Sequence, residues 1–131
     1  MKQRFFKCQR CGQITNVVND TNLTMMCCMA DMIELIPNTA DASKEKHVPE
    51  VIITDKKVAV KVGSDFHPMT SIHYIMWIML QTKKGTQIVH LNPEEEPIAF
   101  FHLGTDDVPE AVYAYCNQHG LWMKELHCKE K

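Results

Sequence analysis

The sequence is missing several features that would have assigned its class at once. It has no marked excess of charge: 14 Lys and Arg stand against 16 Asp and Glu, a formal net charge of -2. Nothing in that balance recommends nucleic acid or an anionic membrane surface as a partner. It also has no long apolar run. The most apolar stretch, Ile72 to Leu80, contains His73 and falls well short of the roughly 20 residues that span a bilayer. The stretch from Met1 to Cys8 holds no apolar core of signal-peptide length. There is no internal repeat and no low-complexity tract. These absences predict a cytoplasmic protein with no nucleic-acid and no membrane partner.

That location changes how the six cysteines are read. A reducing compartment disfavours a disulfide framework, and the adjacent Cys27 and Cys28 could bridge each other only with strain. Thiolate ligation of a metal is the chemistry left to them. The chain has 131 residues, of which 45% are hydrophobic and 23% charged, which suits a globular domain or a small domain joined to a larger one. The nine methionines need no special role, since their flexible side chains fill irregular cores.

Residues 1–36 hold four of the cysteines and little else that could form a core, so a segment this small needs a metal, a disulfide or a partner chain. Residues 37–46 begin with Pro37, Asn38 and Thr39; this polar, turn-rich stretch reads as a linker. Residues 47–131 form the larger domain. Val51 to Thr54 is β-branched throughout, and Asp55-Lys56 can turn the chain into Val58, Val60 and Val62, which alternate with Lys57, Ala59 and Lys61. Ile72 to Gln81 is apolar on both faces, like an interior strand, with Lys83-Lys84-Gly85 as its hairpin turn before Thr86 to Leu91. Further strands fit Ile98 to Leu103, Ala111 to Cys116 and Leu121 to His127. Seven short strands at this spacing predict a mainly β chain built as an antiparallel sandwich, with a small open barrel as the alternative.

Two sets of residues carry metal chemistry. Cys8-Gln9-Arg10-Cys11-Gly12 puts two thiolates on one knuckle, and Cys27 and Cys28 complete a four-sulfur set that suits either zinc or iron. In the larger domain His47, His67 and His73 precede or begin predicted strands, while Cys116 and His119 follow one at ligand spacing, with Gly120 permitting a turn beyond. Four imidazoles in a plane with one perpendicular thiolate would leave a sixth position open, which points to redox-active iron. His90, His102 and His127 read as ordinary surface or core residues. On the residues alone, a non-catalytic binding or electron-transfer module stabilised by zinc is the competing reading.

The motifs resemble one family. Cys8-x-x-Cys11-Gly12 with Cys27-Cys28, Glu45-Lys46-His47-x-Pro49, His67-Pro68-Met69-x-x-x-His73 and Cys116-x-x-His119-Gly120-Leu121-Trp122 are similar to those of the desulfoferrodoxin and superoxide reductase family over nearly the whole chain. The resemblance implies a desulforedoxin-like Fe(Cys)4 domain followed by an immunoglobulin-like sandwich. That sandwich would hold a second iron, with His47, His67, His73 and His119 equatorial and Cys116 axial. It further implies reduction of superoxide to hydrogen peroxide, a rubredoxin-like electron donor and a homodimer. Lys46 would attract the anion and organise a proton-delivering water, and Glu45 could occupy the open position. One departure is visible: after Cys27-Cys28 the family usually has glycine, where this chain has Met29. Cys128 is expected to be a free thiol.

Overall fold

The computed structural model describes residues 2–40 and 42–126. The chain divides between Ile36 and Pro37 into two compact units. The first holds five short strands: β1 (Phe5–Lys7), β2 (Ile14–Asn16), β3 (Met26–Cys27), β4 (Ala30–Asp31) and β5 (Ile33–Glu34). They form an antiparallel sheet of order β2-β1-β5 and a separate β3-β4 hairpin. The buried apolar cluster here is Phe6, Cys8 and Met32, with Val17 and Cys27 against it. Phe5 is buried as well, and a cysteine is thus one of a very few core side chains, as expected where ligands replace apolar burial. Arg4 ties β1 to its surroundings through Asp20 (2.8 Å) and Glu34 (2.9 Å).

The second unit begins with one helical turn, α1 (Lys44–His47), followed by β6 (Pro49–Thr54), β7 (Lys57–Val62), β8 (Ile75–Thr82), β9 (Thr86–His90), β10 (Ile98–His102), β11 (Pro109–Cys116) and β12 (Gly120–Glu125). One antiparallel sheet runs β10-β7-β6 and the other β12-β11-β8-β9. Val58, Val60 and Val62 from β7 share one core with Ile78 and Leu80 from β8, Phe101 from β10 and Val112 from β11. Two sheets sharing one core, each with free edges, make an immunoglobulin-like sandwich and not a barrel. The period-two burial of β7 follows its valines. β8 and β11 are each paired on both edges and stay buried along nearly their full length. Asp55, at φ 57, makes the β6–β7 turn, a conformation that Asp tolerates.

Two stretches differ from the sequence reading. The strand expected from Ile72 starts at Ile75, because Thr70 closes a tight turn on His73. Both its N–H (3.0 Å) and its hydroxyl (3.2 Å) donate to the His73 carbonyl. An apolar Ile72 suggested a strand, yet its side chain is exposed. The stretch read as a linker belongs to the second unit. There Asn38 pairs with β12, its N–H donating to Leu121 (3.0 Å) and its side chain both donating to and accepting from the Met123 backbone. An asparagine carboxamide can replace a strand's peptide group, which composition alone does not reveal. His127 and Cys128 lie outside the described residues.

Candidate metal centres

Five ligand atoms converge at one end of the sandwich. His47 comes from α1, His67 from the turn after β7, His73 from the turn before β8, Cys116 from the last position of β11, and His119 from the β11–β12 turn. Their ligating atoms all lie within 4.8 Å of one another. The four imidazoles form a cycle: His47–His67 (4.5 Å between ring centres), His67–His73 (4.7 Å), His73–His119 (5.0 Å) and His119–His47 (4.9 Å). Each ring stands steeply to the next, at interplanar angles of 74° to 89°.

Hydrogen bonds fix the protonation of two rings. The Ser43 carbonyl lies 2.6 Å from His47 Nδ1, and the Pro68 carbonyl 2.7 Å from His67 Nδ1. A carbonyl only accepts, so each Nδ1 carries the proton and each Nε2 is bare. Yet His47 Nε2 and His67 Nε2 are 3.1 Å apart, and His47 Nε2 is 3.1 Å from His119 Nδ1. Two bare nitrogens at that distance repel unless they share a cation. The buried Nε2 of His73 has no hydrogen-bond partner among the described residues. Nitrogens about 2.1 Å from a metal and at right angles stand about 3.0 Å apart, against about 3.4 Å in a tetrahedron. The spacing therefore fits a square arrangement.

Electrostatics agree with neutral, ligand-ready rings. Burial pushes His67 down to about 4 and also lowers His47 and His73. The charges of His119, His73 and Lys46 lower His47 further, so the exposed Lys46 is felt at the site. Cys116 is fully buried and is itself part of the hydrophobic core. Burial pushes its thiol up, opposed by the backbone N–H groups of Gln118 and His119; the latter donates to Sγ at 3.4 Å. Those amides are placed to accept a thiolate charge.

Close backbone contact holds α1 in place. Gly63 has φ +42, and a Cβ there would fall 2.1 Å from the Glu45 carbonyl. The same carbonyl accepts from the Asp65 N–H (3.1 Å) and the Ser64 hydroxyl (3.2 Å). Glu45 and Lys46 are exposed on this turn, and Glu45 is not among the converging ligand atoms. Its carboxylate accepts from the Ser43 hydroxyl at 2.8 Å.

The four cysteines of the first unit converge in the same way, within 4.8 Å of one another. Sγ of Cys27 lies 3.6 Å from that of Cys11 and 3.9 Å from that of Cys28. Sulfurs about 2.3 Å from a metal stand about 3.8 Å apart in a tetrahedron. The Cys11 N–H pulls Cys8 down to about 6, whereas neighbouring Cys8 and Cys11 push Cys27 up to about 12. One thiolate opposes the next, so four together require a cation. Cys28 and Met29, at φ 52 and 62, are the two turn residues of the β3–β4 hairpin, which is the left-handed pair a type I′ turn demands.

The ligand motifs gave no role to several supporting residues. Trp122 stacks on His47 (4.8 Å) and donates from Nε1 to the His119 carbonyl at 3.1 Å. Asn117 and Gln118 reach back to the turn carrying His73. Their place between or beside the predicted ligands was the available signal. The Ser43 and Pro68 carbonyls had none, because a backbone carbonyl has no residue-type signature. His90 and His102 lie on β9 and β10, outside both groups.

A family model described as Desulfoferrodoxin matches residues 39–125. The chain belongs to the desulfoferrodoxin family. A desulfoferrodoxin of Syntrophotalea carbinolica is 43% identical over 124 residues, covering 95% of this chain and 97% of that relative. The crystal structure of the superoxide reductase from Treponema pallidum superposes with a TM-score of 0.81 at 34% identity, over 95% of this chain and 100% of that one. Superoxide reductase (1Fe-SOR) from Giardia intestinalis matches 65% of this chain with all of its own, at a TM-score of 0.56 and 33% identity. The four-histidine, one-cysteine group and the four-cysteine group are each able to hold a metal, as in a desulfoferrodoxin with two iron centres.

Proposed function

We propose that the chain is a superoxide reductase, which adds one electron and two protons to superoxide and yields hydrogen peroxide. The observation that carries this reading is the cycle of four imidazoles closed over a core-buried thiolate. Structural zinc is four-coordinate and closed; a square set with one further ligand leaves a position for a small anion. His47, His67, His73, His119 and Cys116 would hold one iron, with Cys8, Cys11, Cys27 and Cys28 holding a second. Iron in the five-ligand site would supply the electron. The likeness to superoxide reductases from two organisms supports the assignment.

The chain's own residues do the rest. Lys46 Nζ, on the exposed turn beside His47, attracts the anion and orders a water that hands over a proton. Glu45, on the same turn, is the carboxylate that would stand over the five-ligand group between turnovers. Amide donors to Cys116 Sγ offset part of the cost of burying the thiolate that would bind the metal. Electrons come from a small redox carrier such as rubredoxin, and the acting species is a cytoplasmic homodimer. In this reading residues 1–36 are the Fe(Cys)4 domain and 47–131 the catalytic domain, with 37–46 a connection held against β12 at Asn38.

The test is metal content per chain, with the visible spectrum before and after mild oxidation, followed by superoxide consumption. Two irons, a second band on oxidation and peroxide formed without oxygen release are expected. Lys46→Ala should slow consumption about tenfold or more at unchanged iron. Zinc in both sites with no redox-dependent colour would overturn the proposal, and oxygen release would make the protein a dismutase.

A further inference from the structure

The β8–β11 ladder breaks where it reaches the five-ligand site. Tyr115 pairs with Trp77 but Cys116 pairs with Ile75, so Met76 is passed over and the register shifts. Beyond that point the Asn117 N–H still donates to the Tyr74 carbonyl at 3.2 Å, and the Asn117 side chain takes up the rest of the pairing. Its Oδ1 accepts the Tyr74 N–H at 3.0 Å, and its Nδ2 donates to the Ile72 carbonyl at 3.0 Å. A carboxamide has one acceptor and one donor face, like a peptide bond. Asn117 therefore extends the sheet by one unit through its side chain. Gln118 Nε2 adds a second donor to the Ile72 carbonyl at 2.6 Å.

His73 is the middle residue of the segment so held. Thr70 shapes this turn from within, but the ties to the loop carrying Cys116 and His119 come from Asn117 and Gln118. Apolar packing anchors the segment on either side, at Met69 and Ile75, but not at Ile72, which is 74% exposed. Nor is the His73 ring locked by a carbonyl among the described residues, as His47 and His67 are. The position of His73 relative to the other ligands depends on the backbone that Asn117 grips.

We propose that Asn117 is a positioning residue for the metal centre. Its carboxamide sets His73 against Cys116 and His119, and its loss weakens one ligand of the five. This rests on the five-ligand group holding a metal. Partners that orient ligands from outside the first sphere typically change metal affinity about 10- to 100-fold when removed.

The experiment compares iron-loaded full-length protein with Asn117→Ala and Asn117→Asp. Chelator competition reads the affinity, and electron paramagnetic resonance of the oxidised form reads the symmetry of the site. Asn117→Ala should lose iron from the five-ligand site about 10- to 100-fold more readily and show altered rhombicity, with the four-cysteine site unchanged. Asn117→Asp keeps the acceptor for Tyr74 N–H and should fall between. A folded Ala variant with a lower Tm but unaltered affinity and resonance would overturn the proposal. If the Ala variant does not fold, the Asp variant decides by the same two readouts. Should the natural chain bind no metal at these five residues, the functional reading fails. Exchange of the Tyr74 amide in metal-free protein then tests the grip itself: faster exchange in the Ala variant, with the Asp variant near the natural rate, supports it, and unchanged exchange in the Ala variant overturns it.

Discussion

In the first unit the metal ligands are much of the core; in the second they stand at the end of a core that is complete without them. Cys8 is one of three side chains in the buried cluster of the first unit, whereas Cys116 is one of eleven in that of the second. The first unit also keeps two turn residues, Cys28 and Met29, at positive φ, a conformation costing roughly 1–2 kcal/mol for each residue with a Cβ. The second places glycine where the backbone comes closest, at Gly63. A four-sulfur cluster can thus serve as the fold's main support, while a four-imidazole cluster is carried by a framework that already exists. Metal binding and folding are one event in the first case and two in the second.

Removing metal with a chelator probes this contrast most strongly. Residues 2–36 should lose their structure, since binding of a structural metal contributes on the order of 10 kcal/mol. The sandwich should retain its amide protection, measured by hydrogen exchange with NMR. Equal loss in both units would break the comparison. Next in size is Gly63→Ala, whose new Cβ would meet the Glu45 carbonyl. It should destabilise the second unit by about 2–4 kcal/mol and weaken metal binding at His47, read by thermal melting and metal titration. The opposite change, Met29→Gly, removes a Cβ from a left-handed position. It should tighten metal binding by the four cysteines by about 1 kcal/mol, or about fivefold, in a competition titration. A weaker site would mean that the Met29 side chain, almost wholly exposed, contributes something that the backbone does not show.

The smallest effect lies outside both ligand groups. Asp107 accepts from the Thr82 hydroxyl at 2.6 Å and from the Lys84 N–H at 3.0 Å, and the Thr82 bond holds its carboxyl below the usual range. A depressed carboxyl stabilises above its unfolded pKa of about 3.9 and loses that contribution as pH falls through the folded value. Asp107→Ala should lower Tm slightly at pH 7, with and without metal, and the gap should close in acid. A gap that depends on metal would contradict a pre-formed sandwich.

Much of this arrangement is legible in the sequence. The seven strands show because valine and isoleucine alternate with lysine, or run unbroken where a strand is interior. Eight of the nine candidate ligands show because they fall in pairs beside turn residues, and His47 stands alone ahead of Pro49. The rest depends on backbone groups that residue types do not announce. The Ser43 and Pro68 carbonyls set two tautomers, Gly63 accepts a neighbouring turn, and Thr70 delays β8 behind an apolar Ile72. Asn38 and Asn117 look like turn formers in the sequence and serve as strand substitutes in the fold.

The stacking of Trp122 on His47 has an optical consequence. An indole 4.8 Å from a ligand ring loses its emission by electron or energy transfer when a coloured, redox-active ion binds that ring. The chain has two tryptophans, Trp77 and Trp122, both in the second unit. The sandwich therefore carries its own fluorescent gauge of occupancy at the five-ligand group. The loading of that group can be timed in a cuvette without a label.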